Sequence, residues 1–332
     1  MGQDHGWGYL CNPYSRWHQH LVPRLGRNLN ALSASTGEVV WQKVLSSRTS
    51  PAIADDGASL FVGTPIFAAS PASIVKLDTH TGALIWNTIV DPHPAAAITG
   101  NPVVAKNIVL IGISSSEEGR AADANYPCCT FRGSVVAVDE TTGVILWKTY
   151  MVPDNGGVPG GYSGGAVWGG TPMVDLDRGL VYVATGNNYS VPSDVAACQL
   201  FTPNSPACID PANRIDSIVA MDLSTGTIRW TFQAMFTDTS NNGCLFGVNC
   251  EAPQGPDNDF ARSPVFVNTS LGPTVFAGQK SGAGYSLNAD NGTLLWQTQI
   301  GTRIMWAPQP TDADSISPVE EILPTRSARG RR

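Results

Sequence analysis

The feature of this 332-residue chain that most constrains its fold is one phrase that recurs five times. In every copy a glycine lies four residues before a tryptophan, and three copies carry an aspartate eight residues before it. The copies are Ala31-LSASTGEVV-Trp41, Lys76-LDTHTGALI-Trp86, Ala137-VDETTGVIL-Trp147, Ala220-MDLSTGTIR-Trp230 and Ser286-LNADNGTLL-Trp296. Each copy predicts a β-hairpin, because an apolar strand runs into a Thr-Gly or Asn-Gly turn that supplies positive φ, and an alternating strand follows.

A second phrase precedes four of the five copies and completes each unit. It begins with a polar residue and a proline, at Ser50-Pro51, Asn101-Pro102, Thr171-Pro172 and Ser263-Pro264. Each occurrence predicts two more short strands around a turn. Two hairpins per unit make a four-stranded antiparallel blade, and units of roughly 40–50 residues with inserted loops are typical of β-propellers. We therefore predict an all-β propeller of about five blades, which corresponds to part of an eight-bladed ring.

Composition excludes several classes of protein. Charged residues make up 14% of the chain, whereas Gly (34) and Pro (24) are abundant, which is atypical of coiled coils and long exposed helices. The net charge is −7 and the only cluster of basic residues lies at positions 326–332, so no nucleic-acid partner is expected. No apolar run approaches the roughly 18–20 residues that a membrane span requires, so we expect no membrane-spanning segment in this sequence.

The cysteines indicate an oxidising compartment. Two pairs, Cys198/Cys208 and Cys244/Cys250, lie at short spacings in loop-like sequence and suit small disulfides. The absence of a Cys-x-x-Cys pair speaks against zinc ribbons, thioredoxin-type redox sites and covalent haem attachment. No secretory signal is encoded at the start of this chain. Either the protein stays inside the cell or its true start lies upstream, and the cysteines favour a periplasmic or secreted location.

The two ends of the chain lack the repeat. Residues 1–28 contain His18 and His20 without strand-like alternation, and residues 303–332 finish in the basic cluster. We predict irregular segments at both ends and propeller repeats over residues 29–302. For residues 1–28, an irregular segment is the favoured interpretation, and a metal site at His18 and His20 is the alternative.

The repeated unit AxDxxTGxxxW resembles the tryptophan-docking motif of pyrroloquinoline quinone (PQQ) dehydrogenases, in which each Trp packs between neighbouring blades. The resemblance runs from Ala31 to Trp296. Within this family, residues 125–140, 161–192 and 255–260 are similar to the polyvinyl-alcohol dehydrogenase group. The motif is specific for the fold and not for activity, since PQQ-like propellers also include scaffold proteins without a cofactor.

The resemblance implies a site for PQQ and Ca²⁺ in the fourth unit. Trp168, in a Gly-rich loop, matches the residue on which the planar quinone stacks. Asn187 matches an amide-oxygen ligand of the metal, with Asn188 as the less favoured neighbour, and calcium prefers such oxygen ligands. The alternatives are a Trp that fills the space between blades and a turn Asn that bonds its own backbone.

The third unit supplies the acidic ligand that the resemblance implies. Glu118 is the first choice for this metal ligand and Glu117 is the alternate, although Glu-Glu-Gly is also ordinary surface-loop sequence. Ser115 could donate to a carboxylate or carbonyl of the cofactor. The adjacent Cys128 and Cys129 resemble the disulfide ring that covers the cofactor in PQQ dehydrogenases, although they follow the acidic ligand here. Two reduced cysteines in a Pro turn are the alternative.

The fifth unit supplies the groups expected to react. Asp259, followed by an aromatic residue, matches the family's proton-abstracting base, and it is also expected to contact the metal. Asp257 would lie on the same side of an extended segment and add a metal contact or cap the loop. Lys280 matches the basic residue that contacts the reactive quinone oxygen and would stabilise the charge that develops there. A structural loop Asp and an exposed loop Lys are the alternatives.

Taken together, the resemblance implies PQQ- and Ca²⁺-dependent oxidation of secondary alcohols such as polyvinyl alcohol. Asp259 would accept the hydroxyl proton while hydride passes to the quinone. Electrons would pass to an external acceptor such as a cytochrome c, because the chain has no haem motif of its own. The alternatives are a cofactor-free propeller that acts as a binding or scaffold protein, and an inactive truncated fragment.

Overall fold

The computed structural model describes residues 19–24, 28–45, 47, 49–64, 71–270 and 272–302. The predicted C-terminal tail and His18 lie outside these residues. Within them, antiparallel sheets follow one another along the chain as five blades, which confirms the predicted all-β propeller architecture. A small sheet of two strands lies beside the fourth blade.

The strands are short and are assigned to the blades in chain order. Blade 1 contains β1 (Gln19–Arg24), β2 (Asn28–Ser33) and β3 (Val39–Val44). Blade 2 contains β4 (Ala52–Ile53), β5 (Ser59–Thr64), β6 (Ala72–Asp78) and β7 (Leu84–Asp91). Blade 3 contains β8 (Ala96–Ala97), β9 (Val103–Ala105), β10 (Ile108–Ser115), β11 (Ser134–Asp139) and β12 (Ile145–Tyr150). The small sheet pairs β13 (Ser163–Gly164) with β16 (Asn188–Ser190), and blade 4 contains β14 (Met173–Asp175), β15 (Leu180–Ala184), β17 (Ser217–Asp222) and β18 (Ile228–Gln233). Blade 5 contains β19 (Val265–Thr269), β20 (Gly272–Gly278), β21 (Ala283–Asn288) and β22 (Leu294–Gln299).

Strand β1 departs from the sequence prediction. It lies in the segment that was expected to be irregular, yet it pairs antiparallel with β2 over its whole length. Pro23, which lacks a backbone N–H, is tolerated because β1 is the edge strand of its sheet. A proline and the lack of alternation in Gln19–Arg24 removed the pattern by which a strand is recognised.

The turn that recurs in the repeated motif has the predicted geometry, as blade 2 illustrates. The Asp78 carboxylate accepts the backbone N–H of His80 at 3.0 Å and that of Thr81 at 2.8 Å, together with the Thr81 hydroxyl at 2.7 Å. Gly82 follows at φ 68°, a conformation that glycine adopts without steric cost. Asp139 and Asp222 make the same contacts in blades 3 and 4.

The motif tryptophans join one blade to the next. The indole N–H of Trp41 donates to Thr79 O at 2.9 Å, that of Trp147 to Leu223 O at 3.1 Å, and that of Trp230 to Ala289 O at 3.1 Å. Each ring also packs on the turn glycine of the following blade. The pairs are Trp41 with Gly82, Trp86 with Gly143, Trp147 with Gly226, and Trp230 with Gly292. These contacts fix the order of the five blades and confirm the predicted docking role.

The core lies between blades because the inner strands are apolar on both faces. Strand β10 is buried over Val109–Ser115, and β15 is buried throughout, whereas the outer strand β12 has an exposed start. Apolar clusters therefore form where one blade packs on its neighbour, as around Tyr182, Trp230 and Tyr285 between blades 4 and 5. Continuous burial explains why these strands lack a polar–apolar alternation.

Helical segments occupy loops within blades 3 and 4 and the loop between blades 4 and 5. They are α1 (Glu117–Arg120), α2 (Ser193–Phe201) and the 3₁₀ turns Pro206–Cys208 and Asn242–Leu245. Disulfides Cys198–Cys208 and Cys244–Cys250 close two of these loops, as the spacing predicted. Among the described residues, none of the helices has the length and apolar character needed to cross a bilayer.

Candidate functional site

Residues predicted from the fourth, third and fifth units come together at one end of the propeller. Glu118, Asn187 and Lys280 follow the second strands of the four-strand meanders in blades 3, 4 and 5, namely β10, β15 and β20. Trp168 and Asp259 precede the first strands of blades 4 and 5. Because neighbouring strands run antiparallel, the end of a second strand and the start of a first strand lie at the same end of a blade. The topology therefore gathers all five residues.

The Asp259 carboxylate lies at the centre of this group. Its side chain is only 4% exposed. Oδ1 accepts the backbone N–H of Asn187 at 2.7 Å, and Oδ2 accepts the indole N–H of Trp168 at 3.1 Å. Oδ2 also accepts a bond from Lys280 Nζ at 2.9 Å. Four of the predicted residues are thus in direct contact, and the carboxylate is held by three donors.

Lys280 is buried between two carboxylates and beside the indole. Its ammonium also lies 2.7 Å from Asp257 Oδ1 and 5.0 Å from the centroid of the Trp168 ring. Burial opposes the charge, but Asp259 and then Asp257 outweigh it and raise the pKa of Lys280 above its ordinary value. The lysine is therefore a buried cation. Asp257 reaches it from a left-handed backbone conformation, φ 57°, and not from the extended segment that was expected.

Glu118 faces the same group from blade 3. Burial, then the charges of Asp259 and Asp257, raises the pKa of Glu118 to about 7, while Lys280 acts in the opposite sense. Among the described residues, none donates a hydrogen bond to its carboxylate. The negative charges of Glu118, Asp259 and Asp257 repel one another, and a bound cation would relieve this repulsion. This environment favours Glu118 over Glu117 as a metal ligand.

Asn187 presents an amide oxygen to the site. Its side-chain nitrogen donates to Asn188 O at 2.8 Å and to Ser240 O at 2.7 Å, so both N–H donors are used. No donor to Oδ1 occurs in the part of the chain that the structure describes. Asn188, by contrast, exchanges side-chain hydrogen bonds with Asn213 and donates to Ser163 O. Asn188 is therefore structural, and Asn187 has the free oxygen that a metal ligand needs.

The protein atoms offer an incomplete coordination sphere. Across the described residues, no group of three or more His, Cys, Asp or Glu side chains is able to hold a metal ion. Glu118, Asn187 and Asp259 together provide two carboxylates and one amide oxygen, whereas Ca²⁺ takes 6–8 oxygen ligands. The donor chemistry fits calcium, and the remaining ligands would have to come from a bound molecule.

Glu117 has a different task from its neighbour. Its fully buried carboxylate accepts the backbone N–H of Phe131 at 2.7 Å and that of Thr130 at 2.9 Å, and the Tyr126 hydroxyl at 3.0 Å. These bonds hold the loop 126–131, so the alternate assignment of Glu117 as a metal ligand is not supported. Ser115 Oγ accepts the Glu117 N–H at 3.0 Å and lies in the same buried region, and its contact with a cofactor stays a prediction.

The adjacent cysteines form a disulfide in this loop, across a cis peptide bond. Cys129 is buried and Cys128 is half-buried. Cys129 belongs to the apolar cluster between blades 2, 3 and 4, and Cys128 and Trp168 pack against that cluster. The ring is thus packed into the region between blades, and direct contact between the ring and a cofactor stays a prediction.

Tyr189 is a site residue that the sequence prediction missed. It is 3% exposed, and its ring stacks on Phe131 with centroids 6.4 Å apart. Burial, then the charge of Glu118, raises the pKa of Tyr189 well above its ordinary value, and Ser115 hydrogen-bonds to it. Its position two residues after Asn187 could have drawn attention, but an aromatic residue in a short strand is more typical of a core position.

Comparison with protein families and curated proteins shows what the chain is similar to. The PQQ model, described as the β-propeller domain of glucose, ethanol and alcohol dehydrogenases, matches residues 26–302. A polyvinylalcohol dehydrogenase of Sphingopyxis sp. strain 113P3 is 35% identical over 292 residues, which are 81% of this chain and 41% of that protein. A polyvinylalcohol dehydrogenase of Pseudomonas sp. is 32% identical over 286 residues, 81% of this chain and 42% of that protein. The chain thus spans about two fifths of the length of these relatives.

Solved structures share the fold at lower identity. The quinohemoprotein alcohol dehydrogenase from Comamonas testosteroni superimposes with a TM-score of 0.59 at 20% identity, covering 85% of this chain and 41% of that one. A europium-containing methanol dehydrogenase gives a TM-score of 0.59 at 19% identity, covering 85% of this chain and 49% of that one. These structures support the propeller fold.

Proposed function

Because the chain belongs to the β-propeller family of PQQ-dependent glucose, ethanol and alcohol dehydrogenases, we propose that it oxidises secondary alcohols to ketones with PQQ and Ca²⁺. Polyvinyl alcohol is the proposed substrate, on the strength of the two polyvinylalcohol dehydrogenase relatives. The observation that carries the proposal is the contact of Asp259 with Lys280, Trp168 and Asn187 in one buried group.

The residues of this group divide into those that would hold the cofactor and those that would hold the metal. Trp168 offers a half-exposed indole as a stacking surface, and Lys280 has one N–H donor left beyond the two that Asp257 and Asp259 accept. Glu118, Asn187 and Asp259 would hold the metal through oxygen atoms. When bound, PQQ supplies the two-electron oxidant and Ca²⁺ supplies a Lewis acid.

The protein's own part is to position and deprotonate the alcohol. Asp259 Oδ1 accepts one N–H, from Asn187, and a carboxylate oxygen has two lone-pair sites, so one site remains that the metal or the hydroxyl proton would occupy. The bonds from Lys280 and Trp168 to Oδ2 stabilise the ionised form that must accept this proton. The cation of Lys280 also stabilises negative charge that develops on an oxygen beside it.

We further propose a cytochrome c as external electron acceptor and a periplasmic or secreted location. Disulfides Cys198–Cys208 and Cys244–Cys250 support the location, since such bonds persist in oxidising compartments. The acceptor is proposed because the reduced cofactor must pass its two electrons on before another alcohol can be oxidised.

The first test is titration of the purified chain with PQQ, with and without Ca²⁺, followed by quinone absorbance and tryptophan fluorescence. The expected result is saturable, Ca²⁺-dependent binding of about one PQQ per chain and dye-linked oxidation of secondary alcohols. Asp259→Asn should abolish the oxidation and leave PQQ bound, because the amide cannot accept the proton. Absence of PQQ binding by a folded chain would contradict the proposal and favour a scaffold propeller, and failure to fold would indicate a truncated fragment.

A further inference from the structure

Asp238 connects the two loops that carry Asp259 and Asn187. It lies after β18, and its side chain is fully buried. Oδ1 accepts the backbone N–H of Asp257 at 2.9 Å, and Oδ2 accepts that of Asn258 at 2.7 Å. Its own backbone oxygen accepts the N–H of Asn188 at 2.9 Å. A single residue thus fixes the backbone beside the base and the backbone beside the amide ligand.

The loop 255–259 is shaped around this carboxylate. Asp257 has φ 57°, a conformation that costs free energy for a residue other than glycine and persists where surrounding contacts enforce it. Gly255 donates its N–H to Thr239 O at 2.8 Å, and a methyl group at Gly255 would collide with Asp238 Oδ1. The conformation that results directs the carboxylates of Asp257 and Asp259 to the same ammonium group of Lys280.

Asp216 is a second buried acidic residue beside Asp238. It is fully buried, and burial, followed by the charge of Asp238, raises the pKa of Asp216 well above its ordinary value. Burial therefore favours the protonated form of Asp216, which can offer an O–H to Asp238. The hydrogen bonds that the structure shows to the Asp238 carboxylate are the two from the base loop.

We propose that Asp238 is a positioning residue for alcohol oxidation, which holds the loop 255–259 so that Asp259 meets Lys280 and the substrate in a single geometry. The proposal rests on the proposed function for its catalytic consequence. Its structural consequence is independent of activity, because the amide protons of Asp257 and Asn258 are protected only while Asp238 accepts them. The two consequences can therefore be measured separately.

The test uses the full chain with Asp238→Asn and, as a matched control, Asp216→Asn. In Asp238→Asn, one of the two N–H groups faces an NH₂ group that cannot accept it. Asp216→Asn keeps the size of the buried side chain, can still offer a donor to Asp238, and leaves the two hydrogen bonds from the base loop in place. Hydrogen exchange is followed by mass spectrometry in peptides 255–260 and 217–222, the latter being the β17 core strand. The kcat per PQQ-loaded site and the affinity for PQQ are measured on the same samples.

We expect amide exchange in 255–260 to be about tenfold faster in Asp238→Asn, which corresponds to the loss of about one hydrogen bond, with 217–222 unchanged. The kcat per loaded site should fall about 10–100-fold with little change in PQQ affinity, since a small misplacement of a reacting group has such an effect. Asp216→Asn should stay close to the wild type in both measurements. Exchange in 255–260 that is unaffected by Asp238→Asn, or a normal kcat per loaded site, would overturn the proposal.

A second variant covers the case in which Asp238→Asn does not fold. Gly255→Ala keeps Asp238 but pushes the loop away from it, so it should give the same local loss of protection and the same fall in kcat. A folded Gly255→Ala protein with wild-type kcat would overturn the proposal. If the wild-type chain binds PQQ but oxidises no alcohol, the proposed function fails, and the exchange experiment still decides whether Asp238 holds the loop.

Discussion

Lys280 Nζ lies 2.9 Å from Asp259 Oδ2, and both side chains are more than nine-tenths buried. The ammonium also lies 2.7 Å from Asp257 Oδ1, so one cation is shared by two carboxylates. Removal of one partner from such a buried group leaves uncompensated charge, which costs far more than the loss of a surface ion pair. The relationship therefore links the stability of this end of the propeller to its proposed chemistry.

Lys280→Met should both destabilise the protein and abolish alcohol oxidation. The two carboxylates would repel each other in a buried position, and we expect a loss of about 3–5 kcal/mol in the free energy of unfolding. Lys148→Met is the control, because Lys148 pairs with the buried Asp91 at 2.7 Å away from the site. Denaturant unfolding should show a loss of stability in both variants. Alcohol oxidation by folded Lys148→Met protein should persist, and activity in Lys280→Met would contradict the proposed role.

The neighbours Glu117 and Glu118 should respond differently to the same substitution. Glu117→Gln weakens the bonds to the N–H groups of Thr130 and Phe131, so we expect a loss of about 1.5–3 kcal/mol in stability. Glu118→Gln removes a proposed metal ligand and should weaken Ca²⁺ binding by at least about 10–100-fold, the loss known for residues that only support the ligands of a metal. Calorimetric Ca²⁺ titration in the presence of PQQ, together with thermal unfolding, separates the two effects. Equal Ca²⁺ affinities in the two variants would refute the assignment.

The tryptophan docking contact can be tested at two glycines of the same motif. Gly226 has φ 70° and a methyl group there would lie 2.5 Å from Trp147, whereas Gly37 has φ 73° with no atom within 4 Å of the added methyl. Both alanine variants carry the backbone cost, but Gly226→Ala adds a collision. We expect it to be less stable than Gly37→Ala by about 1–3 kcal/mol, the usual cost of overpacking. Similar melting temperatures for the two variants would show that the interface yields easily.

The stability of the metal-free protein should depend on Glu118 in a defined pH window. The pKa of Glu118 is about 7 in the folded protein, mainly because of burial, against an ordinary value of 4.5. The folded state therefore binds this proton more tightly than the unfolded state, so the contribution of Glu118 to stability falls as pH rises between these two values.

Glu118→Gln has no proton to lose, so it provides the reference for that measurement. Its stability relative to the wild type should increase as pH rises from about 4.5 to about 7 and then level off. Urea unfolding of both proteins in a chelator gives the difference at each pH, and the titration of other groups, such as His93, cancels in that difference. A difference that is constant across this window would show that Glu118 has an ordinary pKa.

Much of the fold was determined by local sequence. The Asp-x-x-Thr-Gly turn of blade 2 contains its own hydrogen-bond partners, Asp78 and Thr81, and a glycine that accepts positive φ. Such a turn forms wherever the sequence places it, so the hairpins and their number could be predicted. Strand β1 could not, because an edge strand that contains Pro23 depends on pairing with β2 and carries no pattern of its own.

The candidate site was predictable in its members but not in their tasks. Resemblance to the family named Trp168, Asn187, Glu118, Asp259 and Lys280, and antiparallel strand order brings them to one end of the propeller. The choice between Glu117 and Glu118 was open, because the two residues are neighbours in one short helix. They differ only in the groups that surround their side chains.

Tertiary structure alone decided those surroundings. Loop 126–131 supplies the N–H groups that donate to the Glu117 carboxylate. The charges around Glu118 come from Asp257, Asp259 and Lys280. Asp238 likewise has no sequence signal, since its partners lie about twenty residues further along the chain. Local sequence determines turns and strands because their bonds join near neighbours, whereas the ionisation and orientation of a buried carboxyl depend on every group that packing brings against it.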